Sequence, residues 1–77
     1  MTLEETGILL AKIALIENRN FTNESIQVWF KILEDVSLEF AMEALMQHYR
    51  NSTEPVKPAH IYKGSKTVKE ERKKRMY

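Results

Sequence analysis

The sequence predicts an all-α protein: a small bundle of three helices plus a short fourth helical turn, with a basic C-terminal segment that is frayed or disordered when free. Ser or Thr capping residues precede three apolar segments. Within these segments apolar residues recur at spacings of three and four, which is typical of one face of a helix. The chain has 77 residues and no cysteine, so packing alone must stabilise one small domain.

The first predicted helix runs from Leu3 to about Glu17. Thr2 and Glu5 form a capping box, in which each side chain accepts the other residue's backbone N–H. Apolar residues surround most of this helix, so we expect it to be the central one. Gly7 costs up to about 1 kcal/mol relative to alanine in mid-helix. We interpret it as a close contact with another helix, with a notch facing a partner as the alternative.

The second predicted helix runs from about Asn23 to Asp35, with Thr22 as its cap. Trp29 lies on its apolar face and is the natural centre of the core. Val28 and Ile32 form a second apolar face, and the pattern leaves two alternatives open. Either the first helix covers that face, or it stays as a small exposed strip.

The third predicted helix runs from Leu38 to about Arg50 and is capped by Ser37. Turn residues follow, and Pro58 can open a short helical turn that ends at Gly64. We therefore predict two parts: a helical bundle domain at 1–64 and a basic C-terminal tail at 65–77.

Charge separates these parts, because residues 1–56 carry a net charge of −5 and residues 57–77 carry +6. The tail has helix-favouring charge pairs but few apolar residues, so we expect it to fold only on a partner. A solvated tail with no partner is the alternative. The candidate partner-binding residues share a positive charge: Lys66, Lys69, Arg72, Lys73, Lys74 and Arg75.

Catalysis is not expected from this sequence. His48 and His60 are its only histidines, and no acidic residue is spaced with them as in a metal site or catalytic triad. Two glycines cannot build a phosphate-binding loop. We expect no catalytic, metal or cofactor site, and we interpret His48 as a residue at the edge of the core. The apolar run at 7–16 is too short to span a bilayer and lacks the basic start of a signal peptide, which favours a cytoplasmic protein.

The order of features between residues 14 and 64 is more specific than the composition. Arg19 and Phe21 precede a helix that contains Trp29, and the distinctive segments are His48-Tyr49 and Pro55-Val56-Lys57-Pro58-Ala59-His60-Ile61. This arrangement resembles the N-terminal domain of the phage helicase loader family, small proteins that load and inhibit the replicative helicase. The resemblance covers most of the chain.

The resemblance implies an all-helical N-terminal domain and a poorly ordered C-terminal region that engages the hexameric replicative helicase. In that family the loader delivers the helicase ring to an origin-bound initiator and restrains its ATPase until delivery. It implies a protein of the bacterial host cytoplasm whose partners are the helicase and, further, the origin-binding initiator. The basic tail is then the candidate contact.

Two other hypotheses remain open. The tail could neutralise DNA phosphates, although Glu39 and Glu43 argue against the third helix as a recognition helix in a DNA groove. Surplus apolar area on the first two helices could form a homodimer, but no heptad repeat demands one, so we expect a monomer or weak dimer. The acidic outer face of the second and third helices is a further candidate surface, formed by Glu24, Glu34, Asp35, Glu39 and Glu43.

Overall fold

Helices make up most of the described chain. The computed structural model describes the backbone of residues 1–75 and the side chains of residues 1–73. Within that range the helices are α1 (Leu3–Glu17), α2 (Asn23–Ile32), α3 (Leu38–Asn51) and α4 (Pro58–Arg75). No strand occurs among residues 1–75. The predicted all-α class is confirmed.

The first three helices begin at the predicted capping residues. The hydroxyl of Thr2 accepts the N–H of Glu5 at 3.1 Å, and the Glu5 carboxylate accepts the N–H of Thr2 at 2.8 Å. Thr22 and Ser37 accept backbone N–H groups three residues further on in the same way. These bonds satisfy donors that a helix start leaves bare, which is why the starts could be predicted.

The core lies where all four helices meet. Trp29 is buried there as predicted, and Phe21 packs its ring edge-on against it with centroids 5.8 Å apart. The other buried members of this core are aliphatic: Leu9, Leu10, Ile13, Leu33, Val36, Ala41, Leu45, Val56 and Ile61.

The prediction that α1 is the central helix is wrong. Only one of its faces is buried, and it carries Leu9, Leu10 and Ile13 together with Thr6. On the other side Leu15 is 81% exposed and Ile8 is 48% exposed. A helix with apolar residues all round does not reveal which of them its neighbours will cover.

The second apolar face of α2 is left uncovered. Val28 is 56% exposed and Ile32 is 42% exposed. Of the two alternatives that the sequence left open, the structure therefore shows the exposed strip.

The fourth helix corrects the predicted short turn. Gly64 does not end it, because α4 continues for 18 residues to Arg75. Ile61, Ser65 and Val68 are buried, and their spacing places them on one face. This face was too small and too polar to be recognised as a packing surface, so the predicted fourth helix was too short, and residues 65–75 of the tail continue α4. Met76 and Tyr77 lie outside the described residues.

The close helix contact that was assigned to Gly7 lies instead at Gly64, which was predicted to end a helical turn. A Cβ built on Gly64 would lie 2.9 Å from the Cβ of Ala44, so glycine permits the close approach of α4 to α3. A Cβ on Gly7 would meet nothing within 4 Å. The interpretation of Gly7 as a packing contact is therefore wrong. Gly7 borders an open notch of about 220 Å³ beside Phe21 and Ile26.

Substituting each glycine by alanine should change stability in opposite directions. Gly7→Ala should raise the free energy of unfolding by about 0.5–1 kcal/mol, because it removes a flexible residue from a helix without creating a clash. Gly64→Ala should lower it by about 1–3 kcal/mol, because the new methyl group overpacks against a rigid neighbour. Urea denaturation of both variants measures the difference. Equal effects at the two positions would contradict a close α3–α4 contact at Gly64 and an open site at Gly7.

Candidate partner-binding surface

The predicted basic residues of α4 separate onto two faces. Arg72 turns inward, where its guanidinium donates to the carboxylates of Glu39 at 2.7 Å and Glu43 at 3.1 Å. It also lies over the Phe40 ring, 4.9 Å from the centroid. The hydrogen bonds to Glu39 and then Glu43 raise the pKa of Arg72. Arg72 thus joins α4 to α3 rather than projecting freely into solvent.

Lys66, Lys69 and Lys73 are exposed. Lys63 is exposed as well. The other three lysines follow it by three, six and ten residues, so all four lie along the exposed side of α4. The Lys66 ammonium group lies 4.4 Å from the centroid of the Tyr62 ring. Among the described side chains, none of these four lysines has a carboxylate oxygen within 4.0 Å. Their charges are therefore available to a partner.

The side chains of Lys74 and Arg75 lie outside the described residues. These two members of the predicted set stay predictions.

A groove lies beside the lysine row, between α4 and the turn at residues 33–37 that joins α2 to α3. It has a volume of about 290 Å³, and its lining includes Phe40, Tyr62, Lys66 and Lys69. Asp35 and Ser37 line it from the α2–α3 turn. Aromatic and cationic side chains therefore converge at one place, which the sequence alone did not indicate.

The acidic outer face does not persist as one free anionic surface. Glu39 and Glu43 are paired with Arg72, and Glu34 lies 3.8 Å from the Lys31 ammonium group. Because α4 lies beside Glu39 and Glu43, the N-terminal half of α3 is not presented as an open recognition helix. The arrangement disfavours docking of α3 into a DNA groove.

A charged junction secures the connection between α3 and α4. The Glu17 carboxylate accepts hydrogen bonds from the Tyr49 hydroxyl, from the Val56 N–H at 3.0 Å and from Arg19 at 2.8 Å. Arg19 also donates to the Val56 carbonyl at 2.9 Å. The junction therefore ties the segment before α4 to the end of α1. The sequence alone does not indicate this junction, because a single acidic residue at a helix end has no distinctive pattern.

The pKa values at this junction shift in opposite directions. Burial alone would raise the pKa of Glu17, but the hydrogen bonds from Tyr49, Val56 and Arg19 outweigh it, and the net pKa is lowered. Burial, together with the hydrogen bond to Glu17, raises the pKa of Tyr49. Both shifts stabilise a Glu17 carboxylate paired with a neutral Tyr49 hydroxyl.

The two histidines meet at the start of α4. Their rings are stacked with centroids 4.5 Å apart. His60 Nδ1 accepts the N–H of Lys57 at 3.0 Å, and His48 Nε2 lies 2.8 Å from the Glu54 carbonyl, to which it donates. His48 is half-buried. Within the described side chains no three His, Asp or Glu residues lie close enough together to hold a metal ion. The pair orients the chain as it enters α4.

None of the helices described within residues 1–75 is long and apolar enough to cross a membrane.

The fold defines a small all-helical domain. A family model for the N-terminal domain of a phage helicase loader/inhibitor matches residues 1–62. The chain belongs to this family, whose members act in DNA replication. The resemblance drawn from the sequence is confirmed. Comparison with curated proteins and with solved structures gives no significant match.

The family match covers part of the groove only. Asp35, Phe40 and Tyr62 lie inside the matched range, whereas Lys66 and Lys69 follow it. The family match therefore includes the two aromatic residues of the groove but neither of its lysines.

Glu17→Gln should destabilise the fold in a pH-dependent way. The folded-state pKa of Glu17 is lowered from its ordinary value of 4.5, so its stabilising contribution is fully present above that value and is lost as the pH falls through the folded-state pKa. At pH 7 we expect a loss of about 1–3 kcal/mol, because hydrogen bonds to a charged acceptor are weakened. Below pH 4.5 the difference from the parent should shrink. Urea denaturation across this pH range measures it.

The exposed Glu70→Gln is the matched control for that series, and it should show no such trend. A stability loss at Glu17 that stays constant with pH would contradict the proposed role of its charge.

Arg72→Ala should loosen the C-terminal half of α4. Without the guanidinium, Glu39 and Glu43 lose their shared partner, and Val68 is the buried apolar residue that remains in this part of the helix among the described side chains. Amide hydrogen exchange should accelerate in residues 66–73 while the core of α1 and α2 stays protected. Lys73→Ala is the control, since that side chain is exposed. Unchanged exchange in the Arg72 variant would show that the ion pairs do not hold α4.

Proposed function

We propose that this protein binds the hexameric replicative helicase, helps to load it and restrains its ATPase until delivery, without being a catalyst itself. The observation that carries the proposal is the match of residues 1–62 to the phage helicase loader/inhibitor domain. The protein would act in the cytoplasm of the bacterial host as a monomer or weak dimer. Its further partner would be an origin-binding initiator.

The helicase contact is assigned to the basic residues of the tail: Lys66, Lys69, Arg72, Lys73, Lys74 and Arg75. Three of them, Lys66, Lys69 and Lys73, support the assignment directly because their side chains are exposed and have no acidic partner among the described residues. Arg72 contributes by holding α4 on the bundle. The division into a bundle domain at 1–64 and a tail at 65–77 is thus a division of roles, although α4 passes through the boundary without interruption.

Exposed charges of this kind chiefly set the rate and the salt dependence of association. A loader must also release its helicase. Contacts that speed association without greatly raising the affinity suit that role. The same lysine row favours a second candidate function, contact with DNA phosphates. That contact would weaken steeply as salt is added.

Titration of the labelled protein into purified hexameric helicase, monitored by fluorescence anisotropy, should give saturable binding, and the ATPase rate of the helicase should fall in parallel. Duplex DNA added as a competitor should leave the binding curve unchanged, because the contact is with protein. Lys12→Glu reverses a charge outside the tail, on the exposed side of α1. The helicase-binding curve of this control variant should match that of the parent protein.

Absence of binding at micromolar concentrations would overturn the helicase proposal. Binding to duplex DNA in place of helicase, lost at moderate salt, would favour the second candidate function.

A further inference from the structure

We propose that the groove between α4 and the α2–α3 turn is the docking site for an acidic, partly apolar segment of the helicase. This inference rests on the proposed function. It goes further in naming the part of the surface that makes the contact and the chemistry of the partner segment. It also separates the two lysines in the groove from the other basic residues of the tail.

The size of the groove suits side chains of an extended segment rather than a cofactor. Its volume of about 290 Å³ lies just below the range of small-molecule pockets, which span about 300 to 1,000 Å³. Ser65 is buried beneath it, and its hydroxyl donates to the Tyr62 carbonyl at 2.8 Å. No buried side-chain polar atom in the described structure lacks a hydrogen-bond partner. The groove therefore makes no demand for a particular polar ligand atom at its base.

The aromatic lining supplies the apolar part of the recognition. Phe40 and Tyr62 are both half-buried, and each ring has a cation placed over it, Arg72 on Phe40 and Lys66 on Tyr62. These contacts, at 4.9 Å and 4.4 Å from the ring centroids, hold the rings in place before a partner arrives. Preorganised side chains lose less conformational entropy on binding.

The charge of the groove selects an acidic partner. Lys66 and Lys69 contribute two positive charges against the single negative charge of Asp35. Neither lysine has a carboxylate oxygen within 4.0 Å among the described side chains. Carboxylates of a docked segment would form ion pairs with these two lysines. Asp35 would repel a segment that also carried an acidic residue at the other side of the groove.

The same features favour a protein segment over duplex DNA. The phosphate backbone of a duplex gains most from a broad positive face, and its bases are stacked inside the helix and do not reach the aromatic rings of the groove. Residues 1–56 carry a net charge of −5, which repels an extended polyanion beyond the immediate contact. A short acidic segment with an apolar side chain meets the lysines and the rings without approaching the rest of the acidic body.

The test compares two charge reversals of exposed lysines. One variant carries Lys66→Glu and Lys69→Glu, which line the groove, and the other carries Lys57→Glu and Lys63→Glu, which neither line the groove nor belong to the assigned helicase contact. Both change the net charge equally and alter exposed side chains, so differences in long-range steering are matched. A third variant with Lys66→Arg and Lys69→Arg keeps the charge. Circular dichroism and thermal unfolding verify that each variant is folded.

Helicase binding is measured for all of them by fluorescence anisotropy at fixed salt. We expect the charge reversal in the groove to weaken binding at least tenfold. The charge reversal outside the groove should weaken it less than threefold, and the arginine variant should bind within threefold of the parent. Equal weakening by both reversals would overturn the groove in favour of general electrostatic attraction. Unchanged binding by the groove reversal would overturn it outright.

Two further outcomes separate this inference from the proposed function. If the parent binds helicase but the groove variant loses only duplex DNA binding, the groove proposal is overturned and the helicase function stands. If the parent itself fails to bind helicase, the proposed function is overturned and the groove proposal falls with it.

Discussion

The close approach of α4 to α3 at Gly64 and Ala44 is the constraint on which the rest of the structure depends. Since glycine has no side chain, the two helices come together closely enough to bury Ile61, Ser65 and Val68 on α4. That contact determines the rotation of α4 about its own axis. The rotation in turn places Arg72 against the carboxylates of α3 and leaves the lysines of α4 exposed. The absence of a side chain at Gly64 therefore affects both the packed and the exposed face of the helix.

The direction of α4 depends on a second set of contacts, at its start. Glu17, Arg19 and Tyr49 tie the segment around Val56 to the end of α1, while the stacked rings of His48 and His60 hold the first turn. A helix secured at its start and along its packed face can present a groove of stable shape. The polar junction and the glycine contact therefore act together, and neither is part of the aliphatic core.

The groove is lined partly by residues inside the family match and partly by residues beyond it. Residues 1–62 match the phage helicase loader/inhibitor domain, and they supply Phe40 and Tyr62. Lys66 and Lys69 lie beyond the match and supply the charge. Exposed lysines on one long helix chiefly set the rate and the salt dependence of association with an oppositely charged surface and contribute less to the final affinity.

Local signals in the sequence determined the all-α class, the starts of α1, α2 and α3, and the burial of Trp29, because caps and apolar spacing act within a few residues. The arrangement from residue 14 to residue 64 also indicated the family. Tertiary structure alone decided that α1 is buried on one face, that α4 continues through Gly64, and that Arg72 turns inward while Lys66 and Lys69 border a groove. Each of these outcomes depends on which distant surface a residue meets: an arginine is equally suited to solvent or to Glu39, and a glycine ends a helix or lets two helices touch according to its neighbour.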